Sequence, residues 1–121
     1  MKKVLLVEDD PFIRDLTSIK LTQSSYAVSV AADGESVIDM VKEEHPDVIL
    51  LDLDLPGLSG LDVLAQLKAD EKYTEIPVII FSNNDDAEIK KKASDLGMAG
   101  FFIKASTAFE DLLTRIQEIT N

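Results

Sequence analysis

The sequence contains no cysteine among its 121 residues. This absence excludes disulfide bonds, thiolate metal sites and cysteine nucleophiles, and it suits a reducing compartment. The N-terminal segment has two lysines and a short apolar run, but acidic residues follow at once, so the apolar region and cleavage site of a secretory signal are missing. No apolar run approaches the roughly 18 residues that span a bilayer. We therefore expect a soluble, cytoplasmic protein.

Basic residues are scarce relative to acidic ones. The chain has 12 Lys and Arg residues against 23 Asp and Glu residues, a formal net charge of -11 at pH 7. Such a surface repels phosphate backbones and anionic lipid, which argues against direct binding of nucleic acid or of a membrane. Most of the excess acid is expected to form a solvated surface, so only acidic residues at special positions need a functional explanation.

Linkers, internal repeats and low-complexity segments are also missing. The length and a hydrophobic content of 45% fit one globular domain, which we expect to span residues 1–121. Short apolar runs predict its β-strands. Three continuous runs, at residues 4–7, 48–51 and 78–81, are typical of strands buried on both faces of a parallel sheet. Two mixed runs, at residues 27–32 and 100–104, predict edge strands.

Helical periodicity separates the predicted strands, and each helix carries one apolar stripe. The stripe of the first helix is predicted to consist of Phe12, Leu16 and Ile19, with Asp10 as N-cap and Pro11 at the first helical position. Two later helices are predicted to begin with capping boxes. The candidate pairs are Asp85 with Glu88 and Thr107 with Glu110.

The alternation of five strands with five helices predicts a doubly wound α/β fold, because right-handed crossovers place helices on both faces of a parallel sheet. The two mixed strands are second and fifth in sequence. Their expected edge positions favour the flavodoxin-like order 2-1-3-4-5, which puts the first and third strands side by side at the switch point.

Polar residues that end the predicted strands form the candidate site, because parallel strands bring their carboxyl ends to one edge, where ligands bind. Singly, Asp10 is best explained as a helix cap, Ser82 as a turn former and Lys104 as a lysine that reaches water. Together the strand-end residues converge from distant parts of the chain. They are Glu8, Asp9 and Asp10 after the first strand, Asp52 after the third, Ser82 after the fourth and Lys104 after the fifth.

Three carboxylates of this set, Glu8, Asp9 and Asp52, would repel one another and raise one another's pKa unless a cation lay among them. Oxygen ligands with room for water and a phosphate fit Mg²⁺ better than Zn²⁺ or a full Ca²⁺ cage. A carboxylate beside Mg²⁺, faced by the Ser82 hydroxyl and the Lys104 ammonium, has the parts needed to accept a phosphoryl group. The expected covalent species is an aspartyl phosphate.

Four fragments in this order resemble the receiver domain of bacterial two-component response regulators. They are "LLVEDDP", "DVILLDLDLPGLSGLDVL", "IPVIIFS" and "GMAGFFIK". The resemblance implies that Asp52 is the phosphoacceptor, that Asp9 and Asp52 are direct Mg²⁺ ligands and that Glu8 holds the ion through water. It also implies that the backbone carbonyl of Asp54, rather than its side chain, completes the protein ligands.

The same resemblance implies roles for the later strand ends. Lys104 pairs with the phosphate, the Ser82 hydroxyl moves to bind it, and the ring of Phe101 turns inward when that hydroxyl moves. Asp54, Asn83 and Asn84 are expected to tune the lifetime of the phosphoryl group.

Four positions depart from the family pattern. Ser82 stands where threonine is more common, and Phe101 lacks the hydroxyl of the tyrosine often found there. Asn83 replaces a small residue and is expected to narrow access to the phosphate. Ala105 stands where a proline after Lys104, commonly in a cis peptide, is usual. A cis bond before alanine costs roughly 3 kcal/mol, so this bond is trans or its neighbours enforce the cis form.

The implied function is a phosphorylation-activated signalling switch that catalyses only its own phosphorylation and dephosphorylation. Asp52 takes the phosphoryl group from the phosphohistidine of a sensor histidine kinase or a histidine phosphotransfer protein. The shift at Ser82 and Phe101 then changes a surface, expected at the fourth helix, fifth strand and fifth helix. That surface binds a downstream protein or a second copy of the chain.

Two other functions compete with this one. The pair Asp52 and Asp54 forms the D-x-D of haloacid-dehalogenase-type phosphatases, but that family places it after an early strand with acids downstream, whereas here the acids precede it. Turnover of a generic phosphate ester would favour that function. The other competitor is a receiver that takes no phosphate and acts as a constitutive protein-binding module, which the unusual Asn83 and Ala105 leave open.

Overall fold

A computed structural model describes residues 1–121, in which five strands alternate with five helices. The strands are β1 (Lys3–Val7), β2 (Ala27–Ala31), β3 (Val48–Leu51), β4 (Val78–Ser82) and β5 (Gly100–Ile103). The helices are α1 (Pro11–Gln23), α2 (Val37–Glu44), α3 (Gly60–Ala69), α4 (Ala87–Asp95) and α5 (Phe109–Thr120). All strand pairs are parallel and follow the order β2-β1-β3-β4-β5. The predicted fold and edge strands are confirmed.

The three central strands are buried on both faces, and each face belongs to a separate hydrophobic core. Side chains alternate between the faces because successive residues of a strand point in opposite directions. Strand residues in the core with α2, α3 and α4 include Leu5, Ile49 and Ile80, and those in the core with α1 and α5 include Leu6, Leu50 and Ile79. Packing on both faces therefore fixes the strand ends that carry the polar residues.

Helix α1 does not bury the stripe that its sequence predicts. Phe12, Leu16 and Ile19 are 72%, 41% and 56% exposed, whereas the helix buries Thr17 and Leu21. The predicted apolar stripe therefore lies on the exposed side of the helix. The periodicity missed the buried face because a threonine lies on it, and the apolar side chains on the other face are exposed.

The caps of α4 and α5 differ from the predictions, whereas the cap of α1 agrees with them. Asp10 caps α1 as predicted, and its carboxylate accepts two N–H groups of the first turn at 2.9 and 3.2 Å. Helix α4 is capped by Asp86 rather than Asp85, and α5 follows Ala108, which makes no side-chain capping bond, rather than Thr107. Two adjacent aspartates are equivalent in sequence, and only the chain path selects between them.

None of the helices combines the length and hydrophobicity needed to cross a bilayer.

Candidate functional site

Three carboxylates meet where β1 and β3 end side by side. Val7 and Leu51 are paired in the sheet, so the residues that follow them leave the same edge together. Glu8, Asp9 and Asp52 each present one carboxylate oxygen, and these oxygens all lie within 4.8 Å of one another. Glu8 and Asp52 are buried and Asp9 is exposed, so the group opens to solvent on one side.

Lys104, which follows β5, supplies the positive charge of the site. Its Nζ lies 2.8 Å from Asp52 Oδ2 and also forms an ion pair with Glu8. The Lys104 side chain is 10% exposed, so the ion pairs are screened little by water. Three carboxylates and one ammonium leave two negative charges. A donor set made only of oxygen atoms, with that charge, fits one hard divalent cation.

Burial and the ion pairs shift the pKa values of two of these groups. Desolvation raises the pKa of Glu8, and the nearby Asp52 charge adds to this, although Lys104 and the Asp10 N–H oppose the increase. Burial by itself lowers the pKa of Lys104, but its bonds to Asp52 and Glu8 outweigh burial and raise it. Lys104 is therefore held as a cation inside the acidic group.

The turn after β3 fixes Asp52 from the other side. The Asp54 N–H donates to Asp52 Oδ1 at 3.1 Å, and the exposed Asp54 side chain lies outside the three-carboxylate group. At Gly60 a Cβ would come within 2.1 Å of the Asp52 carbonyl oxygen, so only glycine allows this turn. Glu35 Oε1 accepts the Leu58 N–H at 2.8 Å and ties the turn to the loop after β2. Sequence reasoning missed Glu35, because nothing local marks a contact 23 residues away.

Three polar side chains at the end of β4 and in the loop that follows have defined hydrogen-bond partners: Ser82, Asn83 and Asn84. The buried Ser82 Oγ accepts the Asn84 N–H at 3.2 Å, and Asn84 Nδ2 donates to Asp54 Oδ1 at 3.1 Å. Asn83 Oδ1 accepts the N–H of Ala105 at 2.8 Å. The side chains of Asn83 and Asn84 therefore join this loop to the loops after β5 and β3. The chain contains no cis peptide, so the bond between Lys104 and Ala105 is trans.

Phe101 lies on β5, beside Ile80 of β4 and two residues before the strand pair Ser82 and Ile103. Its ring is partly buried against the core, and Lys90 Nζ of α4 lies 5.2 Å from the ring centroid. The structure thus brings five residues together at the carboxyl ends of the strands: Glu8, Asp9, Asp52, Ser82 and Lys104. Phe101 lies on the side of β5 that faces α4. The roles of these residues stay predictions.

Comparisons with known proteins agree with this arrangement. The family model of the response regulator receiver domain matches residues 4–117. The chain is 33% identical over 119 residues to the DNA-binding dual master transcriptional regulator RpaA of Synechocystis sp., covering 98% of this chain and 49% of that protein. It thus spans about half the length of that curated relative.

Solved structures show the same fold. The chemotaxis protein CheY4 of Vibrio cholerae is 28% identical and superposes with a TM-score of 0.89 over 98% of both chains. The Mn(2+)-bound form of response regulator Rcp1 is 27% identical and has a TM-score of 0.82 over 98% of this chain and 91% of that chain.

Proposed function

This chain belongs to the response regulator receiver domain family of two-component signalling, and on that premise we propose that it is a switch activated by phosphorylation of Asp52. One observation carries the proposal. The Asp52 carboxylate lies at the end of a fully buried strand, between two other carboxylates and a lysine that it contacts at 2.8 Å. The domain that acts in this way spans residues 1–121.

The proposed reaction is transfer of a phosphoryl group from a phosphohistidine to Asp52. A carboxylate oxygen of Asp52 attacks phosphorus, the P–N bond breaks, and its electron pair returns to the imidazole, which leaves as neutral histidine when its second nitrogen carries a proton. The Asp54 N–H and Lys104 hold the two Asp52 oxygens at 3.1 and 2.8 Å before the attack. Lys104 and the Ser82 hydroxyl then bind the oxygens of the transferred group.

Mg²⁺ is the proposed cofactor, and the residues present fit it. Asp9, Asp52 and the backbone carbonyl of Asp54 would be direct ligands, with Glu8 acting through water. When bound, the ion neutralises negative charge shared by the carboxylate and the incoming phosphoryl group. Support comes from the oxygen-only donor set with two uncompensated charges and from Rcp1, which was solved with Mn(2+) bound.

The proposed output is a change of surface on the face formed by α4, β5 and α5. Movement of Ser82 toward the phosphate would free space beside β5, and Phe101 would turn inward from its contact with Lys90. The altered face would then bind a downstream protein or a second copy of the chain. Asp54, Asn83 and Asn84 are proposed to tune how long the phosphoryl group survives. The expected compartment is the cytoplasm.

Incubation with acetyl phosphate tests the proposal without a partner. With millimolar Mg²⁺ the intact mass should increase by one phosphate, and a chelator should prevent the increase, because the acidic group repels the donor when no cation is bound. Failure to gain phosphate, together with an absence of Mg²⁺-dependent NMR shifts at Asp9 and Asp52, would instead favour a constitutive binding module. Hydrolysis of a generic phosphate ester over many turnovers would favour a phosphatase.

The exposed stripe of α1 is proposed to contact the partner that supplies the phosphoryl group. The helix begins at Pro11, directly after the acidic residues, and presents Phe12, Leu16 and Ile19 to solvent. We expect Leu16→Asp to reduce the rate of phosphorylation by a phosphorylated histidine kinase of the same organism by about 10-fold or more, since a charge in an apolar contact is strongly unfavourable.

Acetyl phosphate provides the control for the α1 variant, because it needs no docking surface. Its reaction with Leu16→Asp should proceed at the wild-type rate. Ser18→Asp, a half-buried position on the same helix, should lose less activity with the kinase. Equal loss with both donors would show that the variant disturbs the site itself and would contradict the docking role.

A further inference from the structure

The backbone around Lys104 is held on two sides by the end of β4. The Lys104 N–H donates to the Ser82 carbonyl at 3.1 Å, which is the final backbone bond between β4 and β5. One residue later the next hydrogen bond between the two segments comes from a side chain instead of the backbone. The Asn83 Oδ1 accepts the Ala105 N–H at 2.8 Å. We call this contact the Asn83–Ala105 bridge. It extends the pairing of β4 and β5 by one hydrogen bond that a side chain supplies.

The bridge lies where small movements of the backbone matter for the site. Ser106 and Thr107 both donate their N–H groups to the Ile103 carbonyl, so the chain turns sharply just after Lys104. The partner of the Ala105 N–H is the Asn83 side chain rather than a backbone carbonyl. Without the bridge, Ala105 would be held in place only through its neighbour Lys104, whose N–H is bonded to Ser82.

We propose that Asn83 is a positioning residue, which acts through Ala105 to hold Lys104 on Asp52. The inference rests on the proposed phosphoryl transfer, in which Lys104 must reach the incoming phosphate. It assigns Asn83 a role different from narrowing access to the site, because the amide is turned toward the loop after β5. It also links the two positions, Asn83 and Ala105, at which this sequence departs from the family pattern. The bridge needs an acceptor at position 83 and a backbone N–H at position 105, which proline would lack.

Phosphorylation by acetyl phosphate in saturating Mg²⁺ tests the inference in four proteins: wild type, Asn83→Ala, Ala105→Pro and the double variant. Loss of a hydrogen bond of ordinary net strength predicts a rate about 3- to 10-fold lower for Asn83→Ala. The two changes remove the same bridge, so the double variant should be no slower than Ala105→Pro alone.

Asn84→Ala provides a matched control, since it removes the same kind of side chain from the same loop but breaks bonds to Asp54 and to the Asp86 N–H. Its effect should add to that of Ala105→Pro. NMR gives a second readout that does not depend on the proline variant folding. Asn83→Ala should speed exchange of the Ala105 amide proton and shift the Lys104 side-chain signals, whereas Asn84→Ala should do neither.

Each outcome decides the inference. Coupled effects of the two substitutions, with altered Lys104 signals, support it. Additive effects or an unchanged rate in Asn83→Ala, while the wild type is phosphorylated normally, overturn it. Failure of the wild type to accept phosphate would refute the proposed function instead. In that case the NMR readout of Asn83→Ala decides the positioning role. Unchanged Ala105 amide exchange and Lys104 signals would overturn that role, and faster exchange with shifted Lys104 signals would support it.

Discussion

Replacement of Asp52 with asparagine is expected to abolish phosphorylation of the chain by acetyl phosphate. The amide of asparagine is nearly isosteric with the carboxylate but lacks its nucleophilic oxygen and its charge for Mg²⁺. Asp52 is also the carboxylate that both Lys104 and the Asp54 N–H hold in place. Intact-mass spectrometry should therefore show no added phosphate under conditions in which the wild type gains one.

The stability of Asp52→Asn distinguishes a variant that cannot be phosphorylated from one that does not fold. Asp52→Asn removes one of three carboxylates that repel one another, so its free energy of unfolding in metal-free buffer should not fall below the wild-type value.

Asp54→Asn is the matched control for Asp52→Asn, because the same change occurs two residues later on a side chain outside the acidic group. This variant should still accept one phosphate, with a changed lifetime at most. Persistent labelling of Asp52→Asn would refute the site. Complete loss of phosphate acceptance in Asp54→Asn would point to an acid role for that side chain, as in a phosphatase.

Replacement of Lys104 with methionine is expected to destabilise the metal-free protein by about 2–4 kcal/mol, because it leaves Glu8 and Asp52 buried without a counterion. Their side chains are only 2% and 6% exposed, so water compensates little. Urea unfolding in the presence of a chelator measures the loss. Millimolar Mg²⁺ should restore much of it, since a cation in the acidic group takes over the neutralising role.

Two further variants separate charge from packing in this result. Glu8→Gln should recover part of the stability of Lys104→Met, because it removes one of the stranded charges. Lys91→Met breaks an exposed 3.8 Å pair with Asp95 and should change stability by less than about 0.5 kcal/mol. If Lys104→Met is destabilised equally with and without Mg²⁺, and Glu8→Gln gives no recovery, the loss arises from packing and the electrostatic account is wrong.

The positions of the site residues follow from features that are local in the sequence. Buried parallel strands have a recognisable composition, and their carboxyl ends must share one edge, so the residues that end them meet whatever the loops do. This rule predicted that Glu8, Asp9 and Asp52 would meet and that Lys104 would lie close to them. The N-cap at Asp10 was equally local, because a cap bonds only to the next turn of its own helix.

Contacts between loops and the orientation of α1 were decided by the tertiary structure. The sequence predicted an apolar stripe of Phe12, Leu16 and Ile19 on that helix, but the helix buries Leu21 in the core and leaves the stripe exposed.

Pairings between distant loops were equally invisible in the sequence. The bonds of Asn83 to Ala105, of Asn84 to Asp54 and of Lys104 to Glu8 join residues 22 to 96 positions apart, and no periodic pattern encodes them. Residue types and strand order thus determined which groups meet at the sheet edge. Only the folded loops determined which of those groups contact one another, because such contacts depend on the paths of several separate segments at once.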